Sequence, residues 1–94
     1  MLEAKYEKQF KKDIKLAKKR GYNMQLLAEV ITYMINEEEI PPKYKDHALI
    51  NNKKYKNVRE LHVNPDWLLI YRIEKGVELL RLVRTGTHSD LFNK

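Results

Sequence analysis

The hydrophobic pattern of this chain changes period at Pro41-Pro42, and that change restricts the fold more than any other feature. Before the prolines, apolar residues recur at helical spacing; after them they alternate or run together, as strands do. Tyr6, Phe10, Ile14 and Ala17 share one face of a helical wheel, and Lys8, Lys11, Lys12, Lys15, Lys18 and Lys19 lie opposite. The spacing predicts an amphipathic helix over residues 6–20, ended by Gly21. Asn23 is suited to cap a second helix running to about Glu38, with Met24, Leu27, Ala28, Ile31, Met34 and Ile35 inward. The prolines stop it, and the short connection folds the two helices into an antiparallel hairpin.

Residues 41–56 show no period and read as an extended, basic loop. Residues 57–63 alternate, with Arg59, Leu61 and Val63 on one side and Val58, Glu60 and His62 on the other. Asn64-Pro65-Asp66 signals a turn, Trp67 to Ile73 a central strand, and Lys75-Gly76 a tight hairpin into residues 77–85. Residues 2–5 suit a short edge strand, and Ser89-Asp90-Leu91-Phe92 a single closing turn. The expected fold is α+β in the order β-α-α-β-β-β, a helical hairpin packed on one face of a small, mainly antiparallel sheet. A length of 94 residues suits one domain, 1–94.

The absence of cysteine excludes disulfides, thiolate zinc sites and thiol nucleophiles. The longest apolar run, Trp67 to Tyr71, is far below the roughly 20 residues of a membrane span, and the N-terminus is charged where a signal peptide would be apolar. A soluble, cytoplasmic protein with no membrane partner is expected. The net charge of +6 is unevenly spread: residues 1–20 carry eight bases and three acids, and residues 43–59 six bases and one acid. Two basic blocks favour a polyanionic partner, although a lysine face also serves solubility alone.

All three histidines, His47, His62 and His88, follow the prolines. His62 and Glu60 lie two apart in a strand and share a face. Asp66 and Trp67 stand at the next turn, Arg81 and Arg84 on the neighbouring strand, and His88 at its end. With the helices on the other face, this one is expected open, with a polar floor. Such a set contains what metal-free RNA cleavage needs: a base for the 2′-hydroxyl, an acid for the 5′-oxygen, and positive charge beside the phosphorane. Imidazole, with an unperturbed pKa of about 6.5, suits both proton transfers, and a nearby carboxylate orients it or raises its pKa.

Each of these residues also has an ordinary reading. A single histidine is more often a hydrogen-bonding surface residue, and Trp67 more often core than a stacking platform. Arg81 and Arg84 would pair with Glu60, Glu74 or Glu78. Three histidines with Asp66 or Glu60 would suffice for zinc, but no pair has a recognised ligand spacing, so neither metal nor cofactor is expected. The residues by themselves support a basic α+β domain suited to RNA.

Three segments carry a family resemblance: Tyr44-Lys45-Asp46-His47-Ala48-Leu49; Arg59-Glu60-Leu61-His62-Val63-Asn64-Pro65-Asp66-Trp67-Leu68-Leu69-Ile70-Tyr71; and Arg84-Thr85-Gly86-Thr87-His88-Ser89-Asp90-Leu91-Phe92. In this order they resemble the YafQ branch of the RelE/ParE superfamily, small basic toxins of bacterial type II toxin–antitoxin modules. The resemblance covers essentially the whole chain and implies a RelE-like fold. It implies a ribosome-dependent mRNA endonuclease, an mRNA interferase, that cuts the A-site codon by 2′-hydroxyl attack without a metal. Carried over by position, His47, His62, Asp66, Trp67, His88 and Phe92 match the family's active-site residues.

On that resemblance His88 is the general acid, His62 and His47 supply the base or steady the phosphorane, and Asp66 and Glu60 orient imidazoles. Arg84, Arg59 and Arg81 would bind phosphate, and Trp67 and Phe92 would offer aromatic faces to a codon base. Lys8, Lys11, Lys12, Lys15, Lys18, Lys19, Lys53 and Lys54 would hold ribosomal RNA. One stretch departs from the family, which has a shorter link with a Gly and a Trp between Leu49 and Arg59. Here Ile50-Asn51-Asn52-Lys53-Lys54-Tyr55-Lys56 replaces it, with Tyr55 for the Trp, and the placement of His47 depends on that link.

The implied partners are a cognate antitoxin whose acids meet the lysines, the ribosome with its mRNA, and operator DNA reached through the antitoxin in co-repression. Two other functions suit the same fold. A ParE-like inhibitor of DNA gyrase has no need of a proton-transfer set, so His62, Asp66, Trp67 and His88 argue against it. A non-catalytic nucleic-acid-binding co-repressor would tolerate His88→Ala with little change.

Overall fold

A computed structural model describes residues 1–50 and 52–92. The first half comprises a short strand, β1 (Glu3–Tyr6), and the helices α1 (Lys8–Lys19) and α2 (Met24–Ile35). α1 buries Phe10, Asp13 and Ala17 and exposes every lysine; α2 buries Leu27, Val30 and Met34. The Asn23 side chain caps α2 by accepting from the Gln25 N–H at 3.1 Å.

Both helices end in the same way. Gly21 N–H bonds to Lys18 O and Tyr22 N–H to Ala17 O; Glu37 N–H bonds to Met34 O and Glu38 N–H to Tyr33 O. This paired closure needs a left-handed residue just past the helix. Gly21 supplies it at φ 80° and Glu37 at φ 55°. The second helix therefore stops at Ile35 and not near Glu38, and the first starts at Lys8 because Tyr6 still belongs to β1. A glutamate in the left-handed position leaves no mark in the sequence. Its carboxylate is tied to Lys75 Nζ at 2.6 Å and to the N-terminal ammonium at 3.2 Å.

Four further strands, β2 (His47–Leu49), β3 (Val58–Asn64), β4 (Trp67–Glu74) and β5 (Leu79–Gly86), complete a sheet in the order β1-β5-β4-β3-β2. β1 runs parallel to β5, and the other pairs are antiparallel. The α+β arrangement is the one expected, with one added strand, β2; the closing turn expected at residues 89–92 is a short helix, α3 (His88–Phe92). The stretch after Pro41 is thus not a plain loop but a 3-10 turn, Pro42–Tyr44, followed by β2. A strand of three residues at an edge is too short to show a period. Lys75-Gly76 is likewise not a two-residue hairpin: a 3-10 turn spans Lys75–Val77, and Glu78, at φ 50°, makes the left-handed step into β5.

β4 is covered on both faces. Trp67, Leu69 and Tyr71 join the main core with Phe10, Leu27, Val30, Leu61, Leu80 and Leu82 beneath the helices. Leu68 and Ile70 join a smaller core with Tyr55, Val58 and Leu91. A continuous apolar run is what a strand buried on both sides requires. The face bearing Glu60 and His62 is therefore not open along its length, as expected above, but partly roofed by Tyr55 and by α3.

β1 covers β5 only from Leu79 to Leu82. Beyond that point the Asp13 carboxylate of α1 takes the place of a strand. It accepts from Thr85 N–H at 3.0 Å, from Arg84 Nε and Nη2 at 2.8 and 3.1 Å, and from Gln9 Nε2 at 3.1 Å. Arg84 Nη1 donates onward to Tyr55 OH at 3.1 Å, and Tyr55 OH donates to Leu91 O at 3.4 Å. The chain of bonds links α1, β5, the segment before β3 and α3. Asp13→Ala leaves a guanidinium and a strand N–H without their acceptor, and we expect it to lower the unfolding free energy by about 3 kcal/mol. Urea denaturation measures this, and Asp13→Asn, which keeps an acceptor, should lose less.

Candidate active site

Strand register builds the site. β2 pairs with β3 so that His47 lies opposite Glu60, and alternation along β3 puts Glu60 and His62 on one face. His47 Nε2 lies 3.4 Å, and His62 Nε2 3.9 Å, from the same oxygen, Oε1, of Glu60. Glu60 is 6% exposed, so its carboxylate is largely withdrawn from water between two imidazoles. The ring centroids of His47 and His62 are 6.4 Å apart, and those of His62 and His88 5.9 Å. Phe92 continues the row 6.5 Å beyond His88.

Each imidazole is held through Nδ1. His47 Nδ1 lies 2.7 Å from Lys45 O, His88 Nδ1 2.7 Å from Asp66 Oδ1, and His62 Nδ1 at a longer 3.4 Å from Pro65 O. Carbonyl and carboxylate oxygens only accept, so the short contacts of His47 and His88 are satisfied by a proton on Nδ1, while the longer His62 contact holds its ring less firmly. That tautomer leaves Nε2 of His88 and His62 as the nitrogen where a proton can be taken or given. Lys45 follows the 3-10 turn in the left-handed conformation, φ 52°, and its carbonyl meets His47. Asp66 also accepts from His88 N–H at 3.1 Å. The bond from the His88 ring, then that from its backbone, holds the Asp66 carboxyl below the usual carboxylate range.

α3 is short and is positioned by its cap. Thr87 N–H donates to Asp90 Oδ2 at 2.9 Å, and Asp90 N–H donates to Thr87 Oγ1 at 3.0 Å, a reciprocal cap. Arg20, just past α1, grips the same carboxylate with bonds of 2.6 and 3.1 Å. Arg20 first, and then the Thr87 bonds, hold the Asp90 carboxyl far below its ordinary range. The absence of a side chain at Gly86 makes this possible, since a Cβ there would lie 2.9 Å from Asp90 Oδ2.

Other expected residues lie elsewhere. Trp67 is on the helix-covered face, 3% exposed, its Nε1 donating to Thr85 Oγ1 at 2.8 Å and its ring 4.9 Å from that of Tyr22. Its ordinary reading as core describes it, because Trp67 alternates with Leu68 and falls on the side of Leu69. Arg59 also turns away from the row, to Asp46, with Nη2 at 3.1 Å; Asp46 accepts from Tyr71 OH as well. Burial, then the Asp46 contact, pushes the Tyr71 phenol up. Arg81 pairs with Glu74 and Glu7. It lies five residues along β5 from Gly86, roughly 17 Å at a strand's rise.

Arg84 is locked on Asp13, yet its Nη1 reaches Tyr55, whose ring meets Phe92 edge-on at 5.9 Å. Lys53 is exposed, and Lys54 lies over the Tyr55 ring at 5.5 Å. The altered link therefore does not keep His47 from the row. Tyr55 packs as a core residue, and Asn51 lies outside the described residues. Among the described residues, no three His, Asp or Glu side chains converge as a metal-ligand set, and no helix is long and apolar enough to cross a membrane. Asp13, Arg20, Asp46 and Asp90 also shape the site, and two of them carry a signal in the sequence: Asp13 is an acid on the apolar face of α1, and Thr87-His88-Ser89-Asp90 has capping-box spacing.

Residues 2–93 match the family described as "Bacterial toxin of type II toxin-antitoxin system, YafQ". The chain belongs to this family. It is similar to the mRNA interferase toxin YafQ of Escherichia coli (strain B / BL21-DE3), 47% identical over 88 residues, 93% of this chain and 91% of that protein. It is also similar to the putative toxin YafQ of Haemophilus influenzae, 32% identical over 93 residues, 94% of this chain and 89% of that one. The crystal structure of the E. coli DinJ–YafQ complex matches with a TM-score of 0.87 at 44% identity, covering 98% of this chain and 99% of that chain. A metal-bound toxin from Helicobacter pylori matches with a TM-score of 0.89 at 43% identity, covering 98% and 100%.

In this YafQ-family toxin the row offers proton-transfer groups on both sides of His62: His47 with Glu60 on one, His88 with Asp66 on the other. A displacement in which one group takes a proton and another delivers one needs that separation. Asp66 and Asp90 also contribute to the acid sensitivity of the fold, as do the depressed Glu37 and Glu74. The depressed Asp66 and Asp90 stabilise it fully above their unfolded values near pH 3.9, and that stabilisation is lost as pH falls through the folded ones. Thermal scans from neutral to strongly acid pH should show stability falling below about pH 4, and Asp90→Asn should lose less across that window.

Proposed function

We propose that this toxin is an mRNA interferase, an endoribonuclease that cuts the codon in the ribosomal A site by 2′-hydroxyl attack, with no metal in the step. One observation carries the reading: three imidazoles in a row, each held through Nδ1, with a carboxylate on either side of His62. The relatives named mRNA interferase toxins support the same class of reaction.

His88, donating Nδ1–H to Asp66, delivers its Nε2 proton to the leaving 5′-oxygen. His62 and His47, on either side of Glu60, take the 2′-hydroxyl proton or support the phosphorane with positive charge. One proton leaves the 2′-oxygen and one arrives at the 5′-oxygen, giving a cyclic phosphate and a free 5′-hydroxyl. Phe92 offers a face to a base, and Arg84 adds fixed positive charge nearby. To Arg59, Arg81 and Trp67, which have partners elsewhere, we assign support of the fold.

The lysines of α1, with Lys53 and Lys54, hold ribosomal RNA through its phosphates. A cognate antitoxin silences the toxin, as the DinJ–YafQ complex suggests by analogy. Between α1 and α2 runs an apolar groove of about 700 Å³, lined by Tyr6, Ile14, Met24 and Ile31 and rimmed by Lys11 and Lys15. An acidic amphipathic segment fits it and would cover the lysines. Operator DNA is then reached through the antitoxin, with the toxin as co-repressor.

Ribosomes carrying a defined mRNA, with primer extension to map cuts, test the reading. We expect a cut in the A-site codon that is unchanged when the toxin has been stripped with EDTA and desalted before it meets the ribosomes, and that falls at least about 100-fold in His88→Ala, while circular dichroism is unchanged. Full activity in His88→Ala, or loss of the cut with the stripped toxin and its return on adding a transition metal, overturns the mechanism. No cut by the wild type, with growth still arrested on expression, points to gyrase. Lys11→Glu with Lys15→Glu should weaken ribosome binding and flatten its salt dependence by roughly two units of log–log slope; an unchanged slope places the contact elsewhere.

A further inference from the structure

We propose that a cleft beside His62, on the side away from His88, holds the nucleotide that carries the attacking 2′-hydroxyl and reads its base. The inference rests on the ribonuclease reading above. The cleft has a volume of about 350 Å³, room for one nucleotide, and its lining includes Leu26 of α2, Lys43 and Lys45 around the 3-10 turn, and His62, Val63 and Asn64 of β3.

Its origin is the shortness of β2. That strand pairs with β3 only from Leu49↔Val58 to His47↔Glu60. From Leu61 to Asn64 the outer edge of β3 has no strand beside it, and among the described residues no backbone hydrogen bond from the 42–46 segment reaches it. Main-chain donors and acceptors on that edge face a concavity instead of a partner strand. Single-stranded RNA is read through such groups, by hydrogen bonds to the edges of splayed bases. Leu26 and Val63 add apolar surface against which a base can lie. Asn64, exposed, offers both an amide donor and an acceptor, and the exposed Lys43 and Lys45 offer cations for the flanking phosphate.

The order of the row sets the direction of the strand. His88 serves the leaving oxygen, with Phe92 beyond it; His62, His47 and Glu60 serve the 2′-hydroxyl. A phosphate between His62 and His88 sends the downstream nucleotide toward Phe92 and the upstream one past His62 into the cleft. An aromatic ring stacks on any base, whereas an amide and a strand edge discriminate. Sequence preference is therefore strongest at the nucleotide 5′ to the cut.

Two measurements test this. The first titrates the protein with a dinucleotide whose first ribose is 2′-O-methylated, so that it cannot be cut, while backbone amide resonances are followed. Shifts are expected at Leu26, Val63 and Asn64, and weaker binding in Lys43→Ala. The second maps cuts on ribosomes over an mRNA offering every base 5′ to the cut. Asn64→Ala, a solvent-exposed change, should shrink the 5′ preference about fivefold and leave the 3′ preference intact. Shifts confined to His88 and Phe92, or a 5′ preference unchanged in Asn64→Ala while the wild type cuts, overturn the cleft assignment alone. A wild type that cuts nothing overturns the ribonuclease reading and this inference with it.

Discussion

The Asp13 carboxylate stands where a longer β1 would have been, and the end of the sheet that leads to His88 hangs from it. Four donors converge on this one buried acid, from Gln9, Thr85 and twice from Arg84. Away from water each of these bonds is stronger than it would be on the surface, and an unsatisfied member would be correspondingly costly. From Arg84 the network continues through Tyr55 to the carbonyl of Leu91, in the helix that begins with His88. A second tie, Arg20 to Asp90, reaches the same helix from the end of α1. A five-residue helix has little stability of its own, and these two ties supply what its length does not.

The two faces of the sheet divide the work. The helix-covered face carries most of the apolar burial and the buried partnership of Trp67 and Thr85. The other face carries the imidazoles, over a smaller core built around Leu68, Ile70 and Leu91. β4 serves both cores and lies between β3, which carries Glu60 and His62, and β5, which leads into the helix of His88, so the row is braced by the most buried strand of the molecule without standing on it. Asp46 and His47 show the same division at the scale of two residues: one side chain turns to Arg59 and Tyr71, and the next turns to Glu60.

Features fixed by local spacing were legible in the sequence. The lysine face of α1, the alternation that puts Glu60 beside His62, the turn at Pro65 and the edge strand at the N-terminus all follow from period and turn chemistry. Features fixed by long-range contact were not. The run from Trp67 to Tyr71 has no polar residue to mark its sides, so nothing local told which face Trp67 would take. The end of α2 depends on a left-handed Glu37 held by Lys75, a residue 38 positions further along the chain. The phosphate role of Arg59 came with the resemblance, and its partner Asp46 comes from a stretch with no readable period. Within the row, Glu60 and His62 follow from alternation and His88 from the end of the neighbouring strand, whereas the membership of His47, brought in by a three-residue strand, follows only from the resemblance.

α1 shows its lysines to the outside and also holds α3, through buried Asp13 at its middle by way of Arg84 and Tyr55, and through exposed Arg20 just past its end. It spans about 18 Å, so a tilt of about 5° moves one end by more than 1 Å relative to the other. That is the scale at which misplaced groups lose two orders of magnitude in rate. On the proposed reading, a polyanion seated against the lysines grips the handle of a tool whose tip is His88, and fit on the outside and alignment of that imidazole become a single mechanical quantity.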